Sequence, residues 1–260
     1  MKQYLSFLFA ILMAVVPGVN AQTQDGSVAG VSTGVYSYNI PVLPSNTYCG
    51  KAPTDSKTLS RDSMMYQWGK TMRATPRGEQ AIQDAYLHDE DLARAFSEAF
   101  GMPITAKGTP AIYRLINHMC EDAGTQATKQ AKESNMRPRP FVVYNEPTPI
   151  PKHEEELRNN GSFPSGHSAI GMAVAMVLSE VNPSRSAQLL ERGRQIGLSR
   201  VIVGFHWESD VLAGRICGEK AVEALHNNKE FLKDLEAAKK EFATLSATQR
   251  QQFTNLFVYK

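Results

Sequence analysis

Apolar residues recur at intervals of three and four positions through most of this sequence, which is the spacing of helices that bury one face. Thr109-Pro110 has the form of an N-cap followed by proline at the first helical position, and the helix it begins is predicted to run to about Lys132. Thr75-Pro76 predicts a second helix start of the same kind. No segment is rich in β-forming residues, so the predicted fold class is all-α.

Four further helices are predicted between residues 164 and 242. Gly193 and Gly197 stand four positions apart within one predicted helix, a spacing that permits close contact with a neighbouring helix. Between residues 137 and 162, five prolines and a charged run predict a long surface loop, and loops of this length tend to be functional. The predicted helices cover residues 164–181, 187–201, 209–226 and 228–242.

The first 21 residues have the pattern of a secretory signal peptide. Lys2 precedes an apolar stretch and a small-residue cleavage site, and the stretch is too short to span a bilayer as a helix. The next residues are rich in Gly, Ser, Thr and Pro without sustained periodicity. We therefore expect a signal peptide at 1–21, an extended N-terminal arm at 22–57 lying over the helical body, a main domain at 58–243, and a tail at 244–260 with a short last helix.

Charge and cysteine content limit the partners that the chain can have. Of 28 basic residues, 27 remain once Lys2 is removed, against 26 acidic ones, so no overall field attracts a nucleic-acid polymer or an anionic membrane. Cys49, Cys120 and Cys217 are widely spaced, with no CxxC pair and no zinc-ligand spacing. At most one disulfide is possible, and Cys120 lies on an apolar helical stripe that predicts a buried, unpaired thiol.

Three short segments carry the residues that are best suited to chemistry. Taken singly, each member has an ordinary structural explanation, such as a solvated lysine, a loop arginine, or a histidine that caps a helix or lies in the core. The aspartate near a helix start has an equally ordinary role as a partner of the helix dipole. The segments are Lys132 with Arg139-Pro140; Pro164-Ser165-Gly166-His167; and Ser199-Arg200 with His206 and Asp210.

Taken together, the three segments predict a binding site for an anion. Pro164-Ser165-Gly166 leads into a helix whose first backbone N–H groups lack intrahelical acceptors, and the glycine allows a ligand to approach them closely. Lys132, Arg139 and Arg200 add three positive charges, and arginine binds phosphate oxygens through two parallel N–H groups. The ligand is therefore expected to be a phosphoryl group.

The two histidines predict catalysis at that phosphoryl group. Asp210 follows His206 by four residues, so its carboxylate can reach one imidazole nitrogen and leave the other free to attack phosphorus. His167, at the other side of the anion site, is placed to protonate the leaving alkoxide. The competing hypothesis is a zinc site held by the two histidines. Three nearby cations would repel a divalent metal, and only Asp210 and Glu208 offer anionic ligands near the histidines.

The order and spacing of these residues resemble a known signature. Lys132-x6-Arg139-Pro140, then Pro164-Ser165-Gly166-His167, then Ser199-Arg200-x5-His206-x3-Asp210 is similar to the three-part motif of the type 2 phosphatidic acid phosphatase and vanadium haloperoxidase superfamily. The longer strings at 161–167 and 204–210 resemble the bacterial class A non-specific acid phosphatases, and the similarity extends from roughly Arg73 to Phe242. It implies an all-α helical bundle of that type, with 58–243 as the catalytic domain.

The resemblance also implies roles for the individual residues. His206 would become a phosphohistidine, oriented by Asp210, and His167 would act as the acid that later activates water. No metal or other cofactor is expected, and vanadate is expected to inhibit. The residues implied to hold the substrate phosphate are Lys132, Arg139, Ser165, Gly166 and Arg200.

Members of this family act in the periplasm or outside the cell on small phosphomonoesters. The resemblance therefore implies nucleotides, sugar phosphates and aryl phosphates as substrates, phosphoryl transfer to alcohols as a second activity, and no membrane association after signal cleavage. It also implies a homo-oligomer, with a dimer favoured. Which phosphomonoester is preferred does not follow from these residues.

Three alternative functions share parts of the pattern. A vanadium-dependent haloperoxidase uses the same constellation but is usually much longer, and a membrane lipid phosphatase needs several spans, which this sequence does not contain. A periplasmic phosphate-binding module without turnover would explain the cations. It would not explain why His167 accompanies the pair formed by His206 and Asp210.

Overall fold

The chain folds as an assembly of helices in the computed structural model, which describes residues 36–245. The predicted signal peptide and the predicted last helix lie outside the described residues. Within 36–245 there is no β-strand, which confirms the all-α prediction. The helices are α1 (Ser45–Cys49), α2 (Ser56–Met72), α3 (Pro76–Gln83), α4 (Asp89–Phe100), α5 (Pro110–His118), α6 (Lys129–Asn135), α7 (Pro140–Val143), α8 (Glu154–Arg158), α9 (Gly166–Val181), α10 (Ser186–Ile202), α11 (Glu208–Leu225) and α12 (Lys229–Thr244).

Several helices begin and end where local sequence chemistry predicts. Thr75 caps α3 by accepting a hydrogen bond from the backbone N–H of Gly78, and Pro76 follows as the first helical residue. Asn228 caps α12 in the same way, through the N–H groups of Glu230 and Phe231. Among residues 36–245, no helix is both long enough and apolar enough to cross a membrane.

The segment before α2 lies against the helical body but is not wholly extended. Tyr38 and Ile40 are buried in the main core, and α1 packs between α6 and α11. The backbone N–H groups of Tyr38 and Ile40 donate to the carboxylate of Asp122 at 2.6 and 3.1 Å. Helix α1 was not predicted. The boundary of the arm at residue 57 stays a prediction.

The prediction of one continuous helix from Pro110 to Lys132 is wrong. Helix α5 ends at His118, and a π-helical turn at Asp122–Gln126 separates it from α6. The turn places the buried Asp122 carboxylate where it accepts hydrogen bonds from the arm, which satisfies backbone groups that would otherwise be buried without partners. Beside this break, Cys120 lies buried as predicted, and its thiol donates to the Ile116 carbonyl at 3.2 Å.

The prediction of a surface loop between residues 137 and 162 is also wrong. The segment forms α7, a 3₁₀ turn at Pro151–His153 and α8, with proline at the first position of the first two elements. Phe141, Ile150 and Leu157 are buried together with Phe205 in a second, smaller core. The apolar residues between the prolines thus hold the segment against the protein. The prediction of a surface loop rested on the prolines and charges and gave these apolar residues no weight.

Helix α9 is buried along most of its length and packs against both α10 and α11. Glycines permit the close approach: a Cβ atom at Gly193 would lie 2.6 Å from the carbonyl oxygen of Gly171, and one at Gly214 would lie 2.3 Å from that of Ser165. This confirms the prediction of a close helix contact at Gly193. The packing brings the end of α10 and the start of α11 next to the start of α9.

Candidate active site

The residues predicted to form the site meet around the N-terminus of α9. Lys132 comes from α6, Arg139 from the residue before α7, and Arg200 from the last turn of α10. His206 lies in the short connection before α11, and Asp210 in the first turn of that helix. All are buried, so water is largely excluded from the space between them.

Lys132 joins α6 to the segment that leads into α9. Its ammonium donates to the carbonyls of Gly161 and Pro164 at 3.0 and 2.9 Å. Burial, together with the neighbouring Arg139, lowers the pKa of Lys132 to about 7. The lysine is therefore a cation whose charge depends on pH near neutrality.

Arg139 contacts both the segment that runs from the end of α8 towards α9 and one histidine. Its Nε atom donates to the carbonyls of Leu157 and Asn160, each at 3.0 Å. Its Nη1 atom donates to the Phe205 carbonyl at 2.9 Å and lies 3.0 Å from Nε2 of His206. Because a guanidinium only donates, this Nε2 accepts and carries a lone pair. Burial lowers the pKa of Arg139 to about 10.

Arg200 is the least satisfied charged group of the site. Its side chain is only 1% exposed, and its Nε and Nη1 atoms have no hydrogen-bond partner within residues 36–245. The guanidinium lies 4.7 Å from the centre of the Phe205 ring. Burial, with Arg139, lowers the pKa of Arg200 to about 9. Two buried nitrogen donors without acceptors are costly, and an anion would satisfy them.

The start of α9 offers further donors beside these cations. Ser165 caps the helix, since its hydroxyl oxygen accepts from the Ser168 N–H at 3.3 Å. The first helical hydrogen bond runs from Ala169 N to Ser165 O, so the N–H groups of Gly166 and His167 precede the bonded part of the helix. Such N–H groups favour negative charge.

His206 and Asp210 have the predicted relationship, with a looser contact than an ideal hydrogen bond. Nδ1 of His206 lies 3.5 Å from Oδ2 of Asp210. The same carboxylate oxygen accepts from the Trp207 N–H at 2.9 Å, which fixes its position. Burial, then Arg139, Lys132 and Arg200, lowers the pKa of His206 well below its usual value. The imidazole is therefore neutral when no anion is bound.

His167 is held by a backbone contact that the sequence did not predict. Its Nε2 atom donates to the Ala85 carbonyl at 3.1 Å, since a carbonyl only accepts. Burial and then Arg200 lower the pKa of His167 well below its usual value. The helix-capping explanation for this histidine is wrong, because the cap of α9 is Ser165.

The site has a surplus of positive charge. Within residues 36–245, Lys132, Arg139 and Arg200 form no ion pair with a carboxylate, although all three are buried. The described residues include one group with the geometry to hold a metal, formed by His118, Glu230 and Asp234, and it contains no predicted site residue. The site cluster is thus arranged to attract an anion.

Two residues that the sequence did not predict, Arg137 and Asp62, form an ion-pair network with Asp210. Arg137 donates through Nη1 to Oδ1 of Asp210 and through Nη2 to Oδ2 of Asp62, each at 2.7 Å. Asp62 also accepts from the backbone N–H and the hydroxyl of Ser209, at 2.8 and 2.6 Å. Burial raises the pKa of Asp210, and Arg137 opposes that rise. No local pattern links Asp62 to residues about 150 positions later.

Comparison with known proteins identifies the family of this chain. The chain is 53% identical over 240 residues to a non-specific acid phosphatase from Providencia stuartii, covering 92% of this chain and 95% of the relative. It is 41% identical to a non-specific acid phosphatase from Salmonella typhimurium, covering 92% of each. The chain belongs to the bacterial class A non-specific acid phosphatases.

The similarity between this chain and its relatives extends over most of the sequence. An acid phosphatase from Zymomonas mobilis is 32% identical over 247 residues, which is 90% of this chain and 89% of that relative. The PAP2 superfamily model matches residues 119–226, which run from the π-helical break to the end of α11. That range holds all eight residues that the sequence predicts to act in catalysis or phosphate binding.

Proposed function

We propose that this class A acid phosphatase hydrolyses phosphomonoesters through a phosphohistidine at His206, without a metal. Acid phosphatase activity follows from membership of the family, and the proposal concerns the mechanism. The observation that carries it is the buried guanidinium of Arg200, which has two nitrogen donors without acceptors and lies beside two further cations without an ion pair. A phosphoryl dianion supplies the missing acceptors and the missing charge.

Binding would place the phosphorus atom close to His206. Arg200 and Arg139 would bind the non-bridging oxygens with Lys132, while the hydroxyl of Ser165 and the N–H of Gly166 approach from the helix start. The contact from Arg139 keeps Nε2 of His206 unprotonated, and its lone pair becomes available for attack when Arg139 turns from Nε2 to the phosphate oxygens. Asp210 would stabilise the proton on Nδ1 as positive charge develops on the ring.

Proton transfer would be the work of His167. In the absence of an anion, burial and Arg200 keep its pKa low, and a bound dianion would offset Arg200 and raise it. As Nε2 of His206 bonds to phosphorus, the bond to the leaving oxygen breaks and protonated His167 gives that oxygen its proton. Neutral His167 then takes a proton from water, whose oxygen attacks phosphorus and releases His206.

The same intermediate would permit phosphoryl transfer, because an alcohol that replaces water in the second step yields a new phosphomonoester. We further propose that the enzyme acts after export on nucleotides, sugar phosphates and aryl phosphates. The signal-like sequence at 1–21 supports export, and the site recognises the phosphoryl group rather than the leaving group.

Replacement of His206 tests the mechanism. We expect His206→Ala to reduce hydrolysis of p-nitrophenyl phosphate at least about a thousandfold, since the nucleophile is lost. His226→Ala is the matched control, because His226 contacts Glu180 away from the site and its loss should leave turnover unchanged. Vanadate should inhibit the parent enzyme, and EDTA should not.

Rapid quenching of the parent enzyme under alkaline conditions provides the second readout. Mass spectrometry of the quenched protein should detect one phosphoryl group on the peptide that contains His206. Undiminished turnover by His206→Ala, or a phosphoryl group on another residue, would contradict the proposed nucleophile.

A further inference from the structure

Two cysteines that the catalytic mechanism does not use meet across the fold. Sγ of Cys49 lies 3.0 Å from Sγ of Cys217, although 168 positions separate them in the sequence. Both are free thiols in the structure, and Cys49 ends α1 whereas Cys217 lies in the middle of α11. Cys120 is buried at a different place, with its thiol bonded to the Ile116 carbonyl.

We propose that Cys49 and Cys217 form a disulfide bond that fastens the N-terminal segment to α11. A disulfide requires the two sulfurs to approach by about 1 Å more, to roughly 2.05 Å. The sequence allowed at most one bridge, and the structure brings together one pair of the three possible pairs. Cys120 is then the thiol that remains reduced.

The pair is held in place by contacts that do not depend on the bond itself. Tyr48, next to Cys49, donates its hydroxyl to the Ala127 carbonyl at 2.6 Å. Ser45, at the start of α1, accepts from the Ala131 N–H at 2.8 Å. These bonds attach α1 to the region of α6, while the thiol of Cys49 lies 3.6 Å from the Ala213 carbonyl of α11. Little rearrangement is needed to form the bridge.

The two thiols differ in exposure, and this difference determines which of them reacts first. Cys49 is half-buried and within reach of a reagent in solution, whereas Cys217 is fully buried. The Cys49 thiolate is therefore the one that attacks a sulfur of an external disulfide, forming a mixed disulfide and expelling one thiolate. Cys217 then loses its proton to solvent and attacks the Cys49 sulfur, expelling the second thiolate. The external disulfide gains the two electrons that the cysteines lose.

The bridge would also stabilise the proposed phosphate site indirectly, through the contact of α1 with α6. Helix α1, which the bridge would fix, packs against α6, which carries Lys132. We therefore expect the disulfide to stabilise the fold around the site without taking part in catalysis.

Thiol counting in redox buffers tests the proposal. Purified protein is equilibrated with oxidised or with reduced glutathione, denatured, alkylated and mapped by mass spectrometry. We expect one alkylated cysteine, Cys120, after oxidation, a peptide pair linked through Cys49 and Cys217, and three alkylated cysteines after reduction. Because the bond closes a long loop, the oxidised form should melt about 5 to 10 °C higher.

Single variants separate the bridge from general effects of cysteine replacement. Cys49→Ser should remove the difference in melting temperature between the two buffers, and Cys120→Ala should retain it. Phosphatase activity of Cys49→Ser at low temperature reports that the variant is folded. Three alkylated cysteines after oxidation, or a bond that joins two chains, would overturn the proposal.

Discussion

Arg137 connects the carboxylate of Asp210 to a second buried carboxylate, that of Asp62 in α2. The Arg137 guanidinium also lies 5.2 Å from the centre of the ring of Trp207, the residue that follows His206. Asp210 is thus held by a cation outside the proposed phosphate site, and the three cations of that site form no ion pair with it. In the proposed mechanism, the cation that positions Asp210 is therefore separate from the cations that bind the phosphate.

Replacement of Arg137 should disturb turnover more than binding. We expect Arg137→Gln to lower kcat roughly 10- to 100-fold with little change in KM, because Asp210 loses a fixed position. Since Arg137 opposes the raised pKa of Asp210, its loss should also move the acidic limb of the pH profile to higher pH.

Two companion variants make the measurement specific to positioning. Arg137→Lys should restore part of kcat, and Arg61→Gln, which removes an exposed pair with Glu208, should leave kcat within about twofold. Equal losses in Arg137→Gln and Arg61→Gln, or an acidic limb that does not move, would refute the positioning role.

Contact between α9 and α10 determines where Arg200 lies relative to the start of α9. The two helices touch through Gly171 and Gly193, with backbone rather than side chains at the closest point. A glycine in a helix interior normally costs about 1 kcal/mol relative to alanine, so its presence here requires a compensating gain. That gain is the close packing of α9 against α10, which brings Arg200 next to the start of α9.

The Gly193→Ala variant tests this contact, because a tight contact and a loose one predict opposite changes in the free energy of unfolding. If the helices had room, Gly193→Ala would raise stability, whereas a Cβ atom 2.6 Å from the Gly171 carbonyl oxygen should destabilise the fold. We expect a loss of about 1 to 3 kcal/mol in the free energy of unfolding, measured by urea denaturation. Gln188→Ala, on the exposed face of the same helix, should change it by no more than about 0.5 kcal/mol.

The buried cations link the stability of the whole molecule to pH and to anions. The folded-state pKa values of Lys132, His167 and His206 are lowered, so the unfolded chain binds more protons than the folded chain. Stability from these groups therefore falls as pH decreases, below about 10.5 for the lysine and below about 6.5 for the histidines. A bound anion favours the protonated forms and should oppose the fall.

Inorganic phosphate should therefore raise the melting temperature more at pH 5.5 than at pH 9. At about a hundred times its dissociation constant, phosphate adds about 2.7 kcal/mol, which corresponds to roughly 5 to 10 °C. At pH 9 neutral Lys132 weakens binding, so the same concentration should give a smaller shift.

Arg200→Met provides the matched variant for this linkage. Removal of an unpaired buried charge should raise the melting temperature without phosphate and abolish most of the phosphate shift. A phosphate shift that is equal at both pH values, or is retained in Arg200→Met, would contradict the role assigned to the buried cations.

The sequence by itself determined the fold class, most helix boundaries of the second half and the eight residues that meet at the start of α9. These features are readable because caps, proline positions and helical spacing act over a few residues, and because the motif residues lie within short segments. Tertiary structure alone decided the break after α5, which depends on Asp122 accepting hydrogen bonds from the arm. It likewise decided the contact of Arg137 with Asp62 and that of Cys49 with Cys217, because packing brings together residues that share no local pattern.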